Sequence, residues 1–159
     1  MRVVRARRPA ILALLLLSCA GAPPATLGLQ GRVLHPCPPS PNCVSSDATD
    51  PEHAVAPFEL AAGASEAWEI AGAAVSDLPR TVIVSRTSDY LHAECTSALL
   101  GFVDDLELHL RGSEGAIAVR SASRVGYGDM GVNRERVEAL RARLVEAGAV
   151  REPDTPDGR

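Results

Sequence analysis

The stretch Asp104-Asp105-Leu106-Glu107-Leu108-His109-Leu110-Arg111-Gly112-Ser113-Glu114-Gly115-Ala116-Ile117-Ala118-Val119-Arg120-Ser121-Ala122-Ser123-Arg124 decides the fold. Leu106, Leu108 and Leu110 alternate with Asp105, Glu107 and His109, the period-two pattern of a half-buried strand. Gly112 to Gly115 is a turn, and Ile117, Val119 and Ser121 set the inward side of a second strand. If Leu110 faces Ile117, then Leu108 faces Val119 and Glu107 faces Arg120, with Asp105 diagonal to Arg124.

Two more strands precede this hairpin. Thr81 to Arg86 is short and β-branched, and Tyr90 to Cys95 places Leu91, Ala93 and Cys95 opposite Tyr90, His92 and Glu94. Connections this short make the strands antiparallel. A helix is predicted on each side of the set. The first runs from Ser65, read as its N-cap, to Leu78, with Trp68, Ala71, Val75 and Leu78 on one face. The second starts near Asn133, read as an N-cap, buries Val137, Leu140 and Leu144, and ends at Gly148. The predicted class is α+β, a two-layer sandwich of about four antiparallel strands covered on one face by two helices. The opposite face would carry the acids, arginines and histidine, and is expected to be solvated, with a functional face as the alternative.

The chain has 159 residues, with 16 arginines, no lysine and 20 acids. Four arginines lie in the first eight residues, so from residue 19 onward twelve arginines face twenty acids, a balance of −8. An acidic body argues against nucleic acid, whose phosphates need clustered cations. Arg2 to Arg8 is basic, Pro9 to Leu17 is apolar, and Ser18-Cys19-Ala20-Gly21 is small, the pattern of a secretory signal. Nine apolar residues are too few to span a bilayer. Leu16-Leu17-Ser18-Cys19 resembles the bacterial lipobox. The resemblance implies cleavage before Cys19, a diacylglycerol on its thiol, often a further palmitate-like acyl chain on its amine, and stable membrane anchoring. Ala20 in place of Asp implies the outer membrane, periplasmic face. An ordinary secretory signal that contains a cysteine is the alternative. The expected organisation is a signal peptide at 1–18, a lipidated Cys19 with a flexible tether to residue 33, a single domain at 34–150, and a disordered tail at 151–159.

Cys37 and Cys43, separated by a loop containing three prolines, are expected to form a disulfide in an oxidising envelope. A metal site using those cysteines with His35 and His53 is the weaker alternative, since the spacing is not that of a zinc knuckle. Cys95 is expected to be a buried free thiol. No cofactor and no nucleophile motif is evident. Asp104, Asp105 and Glu107 could act as an acid set, although only Asp105 and Glu107 share a face. The richest polar stretch runs from Arg120 to Arg134 and includes Ser121, Ser123, Arg124, Tyr127, Asp129 and Asn133. Its glycines expose backbone N–H groups ahead of a helix, and its arginines suit carboxylate or phosphate. The competing reading is a strand-to-helix connection whose arginines pair with Asp104, Asp105 and Glu107.

Four segments taken in order resemble the domain of unknown function 1499 family: Cys37 to Ser46, Tyr90 to Glu94, Gly101 to Glu107 and Val119 to Arg134. The resemblance covers about Leu34 to Leu144. It implies a bacterial, often envelope-associated or lipid-anchored protein with relatives in plastids, and it implies no mechanism. Two function classes follow. One is a non-catalytic envelope lipoprotein that binds a small anionic ligand or an envelope partner. The other is an enzyme that acts on an envelope substrate through the acid and arginine cluster.

Overall fold

The computed structural model describes residues 21–153. The signal segment, Cys19 and the last six residues lie outside that range. The chain folds as α+β, with two helices and a mostly antiparallel sheet.

Four strands carry the sheet: β5 (Thr81–Arg86), β6 (Tyr90–Thr96), β7 (Val103–Arg111) and β8 (Ala116–Ser123). The hairpin register is the one its alternation predicts, with Leu110 opposite Ile117, Leu108 opposite Val119 and Glu107 opposite Arg120. The sheet has six strands rather than about four. Two short strands, β3 (Cys43–Ser45) and β4 (Phe58–Glu59), both pair with the otherwise open edge of β8. Two or three residues are too short to show a period, which is why the sequence does not announce them.

Helices α1 (Ala64–Ser76) and α2 (Val132–Glu146) share one apolar core with the sheet. Trp68, Ala71, Val75 and Leu78 meet Leu91, Leu106, Leu108, Ile117 and Val119, and Val137, Leu140 and Leu144 complete the layer. Neither expected N-cap holds. Gly63 precedes α1 and Gly131 precedes α2, each without a side-chain cap bond. For α2 the cap function passes to Asp129, whose carboxylate accepts from the backbone N–H of Gly131 (3.0 Å) and Asn133 (2.8 Å). Gly148, at φ 70°, ends α2 as expected.

The segment read as a tether carries structure. β1 (Leu29–Gln30) pairs with β2 (Val33–Leu34), and Gly28, at φ 97°, donates its N–H to Glu107 Oε1 at 2.7 Å. Its first described residue, Gly21, packs against Arg124 and Val125. Residues 21–34 therefore form a strap over the polar side of the sheet. The strap docks through the buried side chain of Leu34 and through a main-chain donor, the Gly28 N–H, to the buried Glu107 carboxylate. Composition does not report that contribution.

Cys37 and Cys43 form a disulfide with a Cα–Cα distance of 5.6 Å. This removes both thiols from the alternative metal set, and His53 Nδ1 lies 2.9 Å from the Cys43 carbonyl. Cys95 is a buried free thiol whose pKa burial raises.

Candidate functional site

The alternation along β6, β7 and β8 puts Tyr90, His92, Glu94, Asp105, Glu107, Arg120 and Arg124 on the sheet face away from the helices. In-register pairing stacks them, with Glu94 opposite Asp105, His92 opposite Glu107, and Glu107 opposite Arg120. This face is not solvated. Asp105 is 1% exposed, Glu107 0%, Arg120 3% and His92 6%. The strap and neighbouring chain have withdrawn the charges from water, so each must find a partner.

Each of these charges has one. Arg124 grips Asp105 with two bonds, Nε to Oδ2 at 2.9 Å and an Nη2 donor to Oδ1 at 2.7 Å, and also donates to Glu94. His92 Nε2 lies 2.7 Å from Asp105 Oδ1. Arg120 donates to Glu107 Oε2 at 2.8 Å, while Tyr90 Oη donates to Oε1 at 2.8 Å beside the Gly28 N–H. Burial alone would raise the Asp105 pKa. The bonds from His92 and Arg124, with the Arg124 charge, outweigh burial and hold it below the ordinary aspartate value. Burial, and then the Glu107 carboxylate that accepts its proton, push the Tyr90 phenol well upward. One atom is left over: among the described residues, Arg120 Nε is buried with no hydrogen-bond partner.

The remaining residues of the predicted site fall elsewhere. Asp104 points to the helix side and pairs with Arg136 at 2.6 Å, a partner the sequence reading missed. Ser121, Ser123 and Asp129 converge on Asn133, which is fully buried one residue into α2. Asn133 Nδ2 also donates to the Asn42 carbonyl at 3.1 Å, and Arg136 donates to both Asn133 Oδ1 and Ser121. These bonds sew α2 to β8 and to the loop before β3. Burial would raise the Asp129 pKa, but the backbone donors of Asn133 and Gly131 overcome it and lower the value. Arg134 donates to the carbonyls of Ala54 and Glu52, both at 2.8 Å. Tyr127 stands in solvent.

The sheet thus separates two polar clusters, one per face, where the sequence treated the residues as one site. Asp105, Glu107, Arg120 and Arg124 come together, while Asp104, Tyr127 and Arg134 do not join them. Tyr90, His92 and Glu94 complete the first cluster. Their signal was the alternation of β6 combined with its register against β7. A histidine–carboxylate pair can orient a general base. Here the side chain of His92 bonds only to Asp105 among the described residues. Two surface depressions lie elsewhere: one of about 270 Å³ at the β7–β8 turn includes Arg32, Asp89 and His109, and another lies beside Pro57 and Arg151.

The family described as protein of unknown function (DUF1499) matches residues 33–144, and the chain belongs to that family. No curated protein and no solved structure matches the chain.

Proposed function

We propose that this member of the DUF1499 family is a non-catalytic envelope lipoprotein, anchored through a lipid on Cys19 at the periplasmic face of the outer membrane, that serves as a binding or scaffold domain for another envelope component. One observation carries the non-catalytic part. The arginines that would receive an anion are committed internally, Arg120 to Glu107, Arg124 to Asp105 and Glu94, and Arg134 to backbone carbonyls. A ligand would have to displace buried ion pairs, and breaking such a pair costs about 3–5 kcal/mol. The cluster therefore reads as an internal strut, which favours a protein partner over a small anion as the thing bound. The lipobox resemblance at Leu16 to Cys19 supports the anchor.

Complementation of a deletion strain tests the strut. The double variant Arg120→Met/Glu107→Gln removes the charges together and leaves a neutral pair of similar shape. Full complementation by folded double variant supports the scaffold reading. Loss of complementation with the fold intact would transfer the role to ligand binding or to catalysis on an envelope substrate through this cluster. Metabolic labelling with palmitate that disappears in Cys19→Ala tests the anchor, and labelling that persists refutes it.

A further inference from the structure

β6 and β7 close at the pair Thr96–Val103, and β7 and β8 close at Asp104–Ser123. Segments 97–102 and 124–131 therefore leave the same end of the sheet, where the Arg124 N–H bonds the Val103 carbonyl at 3.2 Å. This end gathers Leu99, Leu100, Phe102, Tyr127, Met130 and Val132, with Leu99 95% and Met130 96% exposed. Scattered exposed apolar residues are ordinary, but a set gathered on one end of a small domain marks an interaction surface. The backbone is bent to present it. Met130 holds φ 55°, a left-handed conformation that side-chain-bearing residues avoid, so a fully exposed thioether sits on a strained turn.

The chemistry of the two loops is also one-sided. Residues 97–103 carry no charge, and residues 125–133 carry one, Asp129. That carboxylate is turned inward onto Gly131 and Asn133. Neither loop itself offers a cation to an acidic partner or a free acid to a basic one, and an exposed cation at this end is Arg80, whose Nε donates to the Thr96 carbonyl at the root of the first loop. An apolar tip rimmed by a tyrosine suits a bilayer interface, where one end of the side chain is apolar and the other wet.

The chain itself arrives at this end. Gly21 lies against Arg124 and Val125, so close that a Cβ there would be 3.1 Å from the Arg124 Cβ. Cys19 is two residues earlier, and two residues span at most about 7 Å. We infer that the loop end formed by residues 97–102 and 124–132 is a bilayer-docking face, which seats Leu99, Leu100 and Met130 in the lipid interface with Tyr127 at headgroup level. The domain then stands end-on, with its β7–β8 turn pointing away from the membrane. This inference rests on the anchored reading and specifies how the anchored domain is held. The tips themselves carry no cation and Arg80 stands at the root of only one loop, so docking is expected on zwitterionic lipid.

The test uses the full chain, extracted from bacterial membranes in detergent and reconstituted into phosphatidylcholine vesicles brominated on their acyl chains. Trp68, the sole tryptophan, is buried and bonds Thr87 at the far end of the sheet, so the wild type supplies the baseline. Leu100→Trp and Met130→Trp should each add emission that is blue-shifted and quenched by the brominated chains. Ser113→Trp, in the β7–β8 turn, should add emission that is neither. If the chain floats with the vesicles but the residue 100 and 130 reporters are not quenched, docking is overturned and the anchor stands. If it does not float, the anchored reading falls and docking with it. Blue-shifted emission without bromine quenching would assign the face to a second copy of the chain and also overturn the inference.

Discussion

Replacing Arg120 by methionine keeps the aliphatic length of the side chain and removes its charge from beneath the strap. Glu107, fully buried, then retains the Tyr90 hydroxyl and the Gly28 N–H but loses its counter-ion. Orphaning one member of a buried pair costs about 3–5 kcal/mol. Against this, the substitution also removes the unpartnered Nε, whose burial costs about 1–3 kcal/mol. The difference is a net loss of about 2 kcal/mol. With a urea m-value of about 1–3 kcal/mol/M, the unfolding midpoint should fall by about 0.7–2 M at constant slope. Glu107→Gln added to Arg120→Met should restore part of that loss, because no unpaired charge remains. The assay is urea unfolding at neutral pH with the disulfide intact. A midpoint for Arg120→Met within about 0.5 kcal/mol of wild type, the range of ordinary surface changes, would refute the strut. So would a double variant whose loss equals the sum of the two single losses.

Asp105 has its folded pKa lowered, so the stability it contributes is present above its unfolded value of about 4 and is lost as pH falls through the lower folded value. Asp105→Asn should therefore flatten the acid limb of the stability profile below about pH 4, and an unchanged limb counts against the assignment. Asn133→Ala removes the bonds to Ser121, Arg136 and the Asn42 carbonyl, each of which keeps another partner, and should lower stability by about 2–4 kcal/mol, at about 0.5–1.5 kcal/mol for each bond lost; thermal unfolding that stays at the wild-type midpoint would contradict this. Non-reducing digestion should release a linked Cys37–Cys43 peptide, and reduction should cost about 2 kcal/mol for so short a loop. Cys95, buried with a raised pKa, should resist alkylation until the chain is denatured, and rapid labelling of the native protein would show the site to be open.

The long strands were legible because their alternation is sharp. Leucine every second residue in β7 leaves one register that keeps both faces consistent, and the pairing of Glu107 with Arg120 followed from it. The burial of that pair was not legible. Its cover is a segment with three leucines and three glycines, whose contribution to the pair is a main-chain donor and whose docking depends on residues about eighty positions away. The division into two clusters was half visible, since adjacent Asp104 and Asp105 must point oppositely on a strand. The partner of Asp104 was hidden, because Arg136 reads in sequence as one more polar residue on an amphipathic helix. The expected caps failed for a related reason. Ser65 and Asn133 have suitable chemistry, but the first is drawn into α1 and the second is spent on tertiary bonds.

The strap also sets an order of events during folding. Gly28 meets Glu107 across 79 residues of chain, and Asn133 reaches back 91 residues to Asn42. The segment synthesised first can therefore settle only after β7 and β8 have paired, and until then the carboxylate of Glu107 faces water. Such long-range closure belongs to the slow end of the folding spectrum. The interval before closure is the period in which the half-built sheet stands open to capture by chaperones or proteases.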